Sequence, residues 1–330
     1  MTCQTCHSIV PELNDFGAAF RDAGFRWPAA VPTHGTLPVA VKVNLQYTSA
    51  PQPPTLPHGI VDEIEILSFG PLGSHASYRV EQYAVDGGLV GSTRDAFLEY
   101  VSDPSSAWHG RRNFVVDALG GQFTLPLPND PETERPTQNH YAIYDQTVGN
   151  NPFNLFDDRI GVNVGYGNRF AQVNAVAAKG HDPQSGLPTS GTDEMFVARA
   201  GPDVLSAWAY LYAGTRILGP APDRFVRRAF GLTSSYGKSE TSFLLQTGND
   251  SSPFGDGAGV ASSGGYLQEE WHFSSRLAAV ARYDGLGANN FLRTTTLTLN
   301  YRPYDRARLT LEGVFASHAT TLNAAWLFAY

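Results

Sequence analysis

Cys3-Gln4-Thr5-Cys6-His7 places two thiols and an imidazole within five residues. In a C-x-x-C-H run both sulfurs add across the vinyl groups of one haem, and the adjacent histidine gives the iron an axial nitrogen. Two intervening residues let both sulfurs reach one porphyrin edge while His7 turns under its face. No other cysteine occurs in the 330 residues, so none is left for a disulfide or a second metal site. An incomplete zinc site is the weaker alternative, because structural zinc wants four ligands and the remaining histidines are scattered. A thioredoxin-like pair requires a βαβ context, and no such pattern follows. The expected chemistry is one covalent haem c, with Cys3 and Cys6 as attachment sites and His7 as axial ligand to the haem iron.

The second axial position stays open. Methionine is nearly excluded, since Met1 lies too close to the motif and Met195 far along the chain. His34, His58 and His140 are candidates, and a five-coordinate iron is a further option. Asp145, Asp157 and Asp158 offer oxygens of the kind Fe(II) accepts. The competing and stronger reading pairs Asp157 and Asp158 with Arg159 to fix a constriction or turn.

Positioning such a group requires elements around it. Residues 10–21 read as a short helix, with Pro11 at its first position and Gly24 where it would stop. Leu13, Phe16 and Phe20 fall on one face at spacings of three and four, and a haem face or a barrel lumen is the expected partner for that stripe. The segment is too short to be a complete soluble cytochrome, so it needs a housing.

From Leu37 onward the pattern changes to period two. Val39, Val41, Val43, Leu45 and Tyr47 alternate with Ala40, Lys42, Asn44 and Gln46. Leu322, Ala324, Trp326, Phe328 and Tyr330 alternate likewise at the other end. Between them similar runs recur, about sixteen in all, each near the length that crosses an outer membrane at a tilt. Gly165-Tyr166-Gly167-Asn168 and Tyr236-Gly237-Lys238 read as tight turns, and 248–256 as a surface loop. The 12% of aromatic residues suits two interfacial girdles, and 33 glycines suit strand bends and turns. No apolar run approaches the length of a transmembrane helix. The expected fold is mainly β: a transmembrane β-barrel of about sixteen strands over 37–330, with residues 1–36 as a helical haem segment that plugs or caps the lumen.

A net charge of −8 argues against nucleic acid, since no basic stripe is present to neutralise phosphates. A covalent haem c and an outer-membrane barrel both require export. Met1-Thr2-Cys3 leaves no room for a signal peptide, so an exported chain whose leader is absent from this sequence is expected.

The motif, the stretch Pro11-Glu12-Leu13-Asn14-Asp15-Phe16-Gly17-Ala18-Ala19-Phe20 and the porin-like pattern after them together resemble the fused cytochrome–porins of iron-oxidising bacteria. The stretch from Tyr144 to Leu155, with Asp157-Asp158-Arg159, also looks like porin sequence of this kind. The resemblance spans the chain in architecture, while its specific motif lies in the first twenty-five residues or so. It implies Cys3 and Cys6 as haem attachments, His7 as proximal ligand, and a haem segment that plugs or caps an outer-membrane barrel. It also implies an oxidoreductase-like role: electrons pass from extracellular Fe(II), through the haem, to a periplasmic carrier such as a cytochrome c or a copper protein. The alternative is a solute porin whose haem segment is structural or sensory.

Overall fold

In the computed structural model, residues 5–8, 12–28, 38–51, 57–129, 136–145, 147–151, 154–181, 188–202, 204–288, 291–317 and 319–329 are described. Period two in the sequence becomes two faces in space. Asn44 is 1% exposed, whereas its neighbours Leu45 and Tyr47 are 41% and 52% exposed. At the far end Ala325 and Leu327 are buried while Leu322 and Trp326 are exposed. Polar residues therefore face inward and large apolar ones outward, the pattern that a lipid exterior imposes on a closed sheet.

The strands are β1 (Val39–Thr48), β2 (Gly59–Pro71), β3 (Ala76–Asp86), β4 (Thr93–Val101), β5 (Val115–Phe123), β6 (Arg159–Asn168), β7 (Ala171–His181) and β8 (Pro188–Ala200). They continue as β9 (Leu205–Ile217), β10 (Pro222–Tyr236), β11 (Ser239–Asp250), β12 (Val260–Ser274), β13 (Leu277–Gly287), β14 (Phe291–Tyr301), β15 (Ala307–Ala316) and β16 (Ala319–Ala329). Each pairs antiparallel with its neighbours in sequence, and β1 pairs with β16 from Lys42↔Ala329 to Thr48↔Asn323, which closes the ring. A two-residue ribbon, Leu89–Val90, only extends β3, which pairs directly with β4. The result is a closed sixteen-stranded antiparallel barrel. Closure leaves no edge strand, so every backbone group in the wall can find a partner away from water.

Its ends differ. Arg169-Phe170, Gly237-Lys238 and Ser275-Arg276 link strands at one end, while longer connections such as 251–259 lie at the other. Short turns mark the periplasmic side of such barrels. From the opposite end the segment between Phe123 and Arg159 folds into the lumen. Its Leu125, Leu127, Tyr141, Ile143, Tyr144 and Leu155 pack with Val176, Met195, Val197, Tyr210, Tyr212 and Tyr266 of the inner wall. The apolar core thus sits inside the barrel, along β7 to β13.

Two local expectations change. The N-terminal helix α1 spans Asp15–Asp22, starting later than residue 10. Asn14 is extended and its side chain accepts from Gly17 N at 2.9 Å, so it caps the helix there, while Leu13 bridges to His7. Pro11 lies outside the described residues. Gly24 does end the helix, at φ +62°. Gly165 and Gly167 lie within β6 rather than in a turn. The turn follows at Arg169-Phe170, where Asn168 Oδ1 accepts from the amides of Phe170 and Ala171. A Cβ at Gly167 would strike the Ala171 carbonyl and the Gln172 backbone of β7, so close packing of the two strands requires that glycine. Gly237 is in a left-handed turn, as expected.

Candidate functional site

The motif is built onto the start of α1. The Asn14 amide donates to the Cys6 carbonyl at 2.9 Å. A side chain at Gly17 would strike that same carbonyl, so the first helical turn and the motif backbone are in direct contact. The Glu12 carbonyl then gathers the other side of the motif: it accepts from Ser8 N at 3.1 Å and lies 3.2 Å from His7 Nδ1. With the proton on Nδ1, Nε2 is the basic nitrogen, the form in which an imidazole binds iron. Cys6 is half-buried and His7 likewise. Cys3 lies outside the described residues.

Aromatic rings crowd this segment. Phe16 lies 4.9 Å from Trp108 and 5.9 Å from Trp27 between centroids. Phe20 contacts Trp27 at 4.5 Å and also Phe25 and Phe69. Phe16 and Phe20 thus follow the expected stripe but pack on aromatic residues from β2 and from the 3₁₀ turn Pro104–His109. Trp27 and Trp108 stay half-exposed. In that 3₁₀ turn Asp103 is the cap, and the hydrogen bond from Ser105 holds its carboxyl below the usual range.

Three arginines tie the segment to the periplasmic mouth. Arg26 donates to the Ala23 and Gly24 carbonyls at the end of α1, and also to the carbonyls of Gly73 in the β2–β3 turn and Ala76 at the start of β3. Arg111 bridges Asp22 and Asp117. Arg302 donates to the Ser8 carbonyl at 2.6 Å.

The donor set fits a c-type haem. A thiol and an imidazole stand next to each other in sequence, the imidazole has its second nitrogen on a carbonyl, and half-exposed tryptophans pack on α1, the helix that carries the motif.

The other predicted candidates disperse. His58 lies at the opposite end of the barrel, its Nδ1 2.8 Å from the Thr48 carbonyl. His140 lies in the inward segment, stacked on Phe156 and 3.5 Å from Asp145. Met195 is buried in the inner wall, and His34 falls outside the described residues. Of the expected Asp157/Asp158–Arg159 grouping, the Asp157 carboxylate acts on Arg159 by charge, as does Asp193 at 3.5 Å, and Arg159 Nη1 also donates to the backbone carbonyls of Asp157 and Asp158. Asp158 instead meets Arg94 and Gln122. Arg159 fixes the turn through carbonyls, because a buried guanidinium with five donors needs more acceptors than one carboxylate supplies.

Arg282 and Asp193, which sequence reading did not single out, organise the lumen. Arg282 donates to Thr137 Oγ1 and to the Asn139 and His140 carbonyls, with Asp284 beside it and Tyr141 beneath. The Glu312 carboxylate accepts from the amides of Gln138 and Asn139. Asp193 takes a bidentate pair from Arg216 and a hydroxyl from Tyr212. The Arg282 and Glu312 contacts hold the inward segment on β13 and β15, while Asp193 ties β8 to β9. On the first half of the wall, Lys42, Glu63, Glu65, Arg79, Glu81, Arg94 and Asp95 form a polar strip.

No protein-family model and no curated protein matches the sequence. In fold the chain is similar to solved outer-membrane barrels. The anion-selective porin from Comamonas acidovorans superposes at TM-score 0.66 and 11% identity, over 89% of this chain and 99% of that one. OmpF of Salmonella typhi, solved with daunomycin, gives 0.63 at 9% identity, over 89% and 97%. The outer membrane channel DcaP of Acinetobacter baumannii gives 0.59 at 13% identity, over 92% and 100%. At these identities the likeness is one of fold, a porin-type barrel. That fold and an apolar outer face together put the chain in an outer membrane. They bear on the barrel, while the cytochrome–porin resemblance rests on the motif.

Proposed function

We propose that this barrel is an electron conduit: residues 1–36 hold one haem through Cys3, Cys6 and His7 at the periplasmic mouth of the barrel formed by 37–330. The observation that carries the reading is His7 Nδ1 on the Glu12 carbonyl, inside a C-x-x-C-H run that α1 pins to the barrel end. When bound, the haem supplies a one-electron centre between extracellular Fe(II) and a periplasmic carrier, a cytochrome c or a copper protein.

The chain's own residues supply the setting. The closed wall keeps lipid from the lumen and satisfies its own hydrogen bonds. Asn14 and Gly17 fix the Cys6 backbone, and Glu12 orients His7. Phe16, Trp27 and Trp108 form an apolar cluster on α1, the helix that carries the motif. Glu63, Glu65, Glu81 and Asp95 outnumber Lys42, Arg79 and Arg94 on β1 to β4, and that excess of carboxylates would attract cations such as Fe(II). Fe(II) drawn into the lumen gives up one electron to the haem and becomes Fe(III) before it can enter the periplasm, which spares the cell an insoluble product. Stopped-flow mixing of the purified protein with Fe(II) tests the donor: reduction of the c-type spectrum is expected, and a spectrum that stays oxidised refutes Fe(II).

A second reading is favoured by the same polar strip, which a conduit alone does not need. In it the chain is a solute porin, and the haem segment is structural or sensory. Swelling of liposomes carrying the protein in sugar solutions separates the two, since rapid swelling belongs to the porin.

A further inference from the structure

We propose that Glu12, Glu270 and His272 form a binding site for a divalent first-row transition cation, which staples the N-terminal segment to the barrel wall. The inference goes beyond the haem reading and does not depend on it, since none of the three residues belongs to the C-x-x-C-H motif.

The geometry comes from two parts of the chain. Glu270 and His272 are two residues apart in β12, so both face the lumen near its periplasmic end. Glu12 arrives from the N-terminal segment, four residues beyond Ser8, whose carbonyl Arg302 holds against the barrel. One ligand atom from each of the three lies within 4.8 Å of the others.

A second, independent observation points to a ligand. Glu270 is 6% exposed, yet its Oε1 has no hydrogen-bond partner. His272 Nε2 lies 3.4 Å from it, too long for a good hydrogen bond. The charged groups that act on Glu270 are Glu12, Glu240 and Arg308, so carboxylates outnumber cations around it. Burying such a surplus without a counter-charge is costly, and a protonated His272 offsets only one of the carboxylates. A divalent cation offsets two.

The donor set selects the class. Two carboxylate oxygens with one imidazole nitrogen suit Fe(II), Zn(II) or Mn(II), whereas Ca(II) and Mg(II) prefer an all-oxygen shell and Cu(I) prefers thiolates. Three protein ligands leave room for water in the remaining positions. Because the ligands come from opposite ends of the chain, an ion here cross-links the segment to the wall and resists its release.

The test uses the full chain in detergent, stripped with a chelator and titrated with Zn(II) by calorimetry. Metal content after desalting and protease resistance of residues 1–28 are followed in parallel. One saturable equivalent is expected, and the segment should become more resistant when it binds. Glu12→Gln and His272→Gln should each weaken binding about tenfold or more and abolish the added resistance. His109→Gln, an exposed histidine at the same end, should change neither. Glu12 lies outside the wall, so its variant remains informative if a β12 variant fails to assemble. Absence of saturable binding, or binding that survives Glu12→Gln with its affinity intact, would overturn the proposal.

Discussion

The Glu12 carbonyl lies 3.2 Å from His7 Nδ1, and its own chain returns two residues later, through Asn14, to bond the Cys6 carbonyl. The motif is therefore clamped on both sides by the residues that lead into α1. If this clamp serves haem attachment, replacing Cys3 and Cys6 together by Ser removes haem-dependent peroxidase staining on denaturing gels. The barrel should keep its heat-modifiable mobility, since neither residue belongs to the wall. Staining that persists in the double variant would refute the assignment.

Asn14 caps α1 by accepting from Gly17 N, so Asn14→Ala should destabilise the helix by about 1 kcal/mol. Hydrogen exchange is the direct readout. Amides of residues 15–22 should exchange roughly fivefold faster, while those of β7 to β12 stay unchanged.

Arg282→Met should loosen the inward segment. The substitution removes the donors to Thr137, Asn139 and His140 and leaves Asp284 buried beside them without its cation. Breaking such a buried pair costs about 3–5 kcal/mol. Single-channel conductance in planar bilayers should rise, and protease should cut between residues 130 and 158 where it spares the parent. Unchanged conductance would show that another contact, such as Glu312 with the amides of Gln138 and Asn139, suffices.

Whatever current the parent barrel passes should favour cations, because acidic groups exceed basic ones along the polar strip of β1 to β4. Reversal potentials in a salt gradient measure this. The Glu81→Gln and Asp95→Asn pair should shift them toward anions, and at high salt the preference should fade as screening shortens the field. An anion-selective parent would contradict the role given to that strip.

The barrel was legible because lipid imposes period two on every strand. Val43, Leu45 and Tyr47 against Lys42, Asn44 and Gln46 state the two faces of β1 before any coordinates do. Glycine misled at Gly165 and Gly167, since the residue that permits a turn also permits close sheet packing. The helix start was misplaced because Pro11 suits a first helical position, while the Asn14 cap, three residues on, determined the outcome. The lumen network was not legible. Arg282 finds Thr137 across 145 positions, and no local pattern encodes such a meeting. The same holds for Glu12 with Glu270 and for Phe16 with Trp108, where the two partners share only the folded mouth.

The central claim is that Cys3, Cys6 and His7 carry a haem that Fe(II) reduces. The most direct measurement is a reduced-minus-oxidised spectrum of the outer-membrane fraction, from a host with haem-maturation machinery, before and after anaerobic addition of Fe(II). The account predicts a c-type signal that Fe(II) alone produces and that the Cys3→Ser/Cys6→Ser variant lacks. A fraction that contains the folded barrel but gives no haem signal would contradict it.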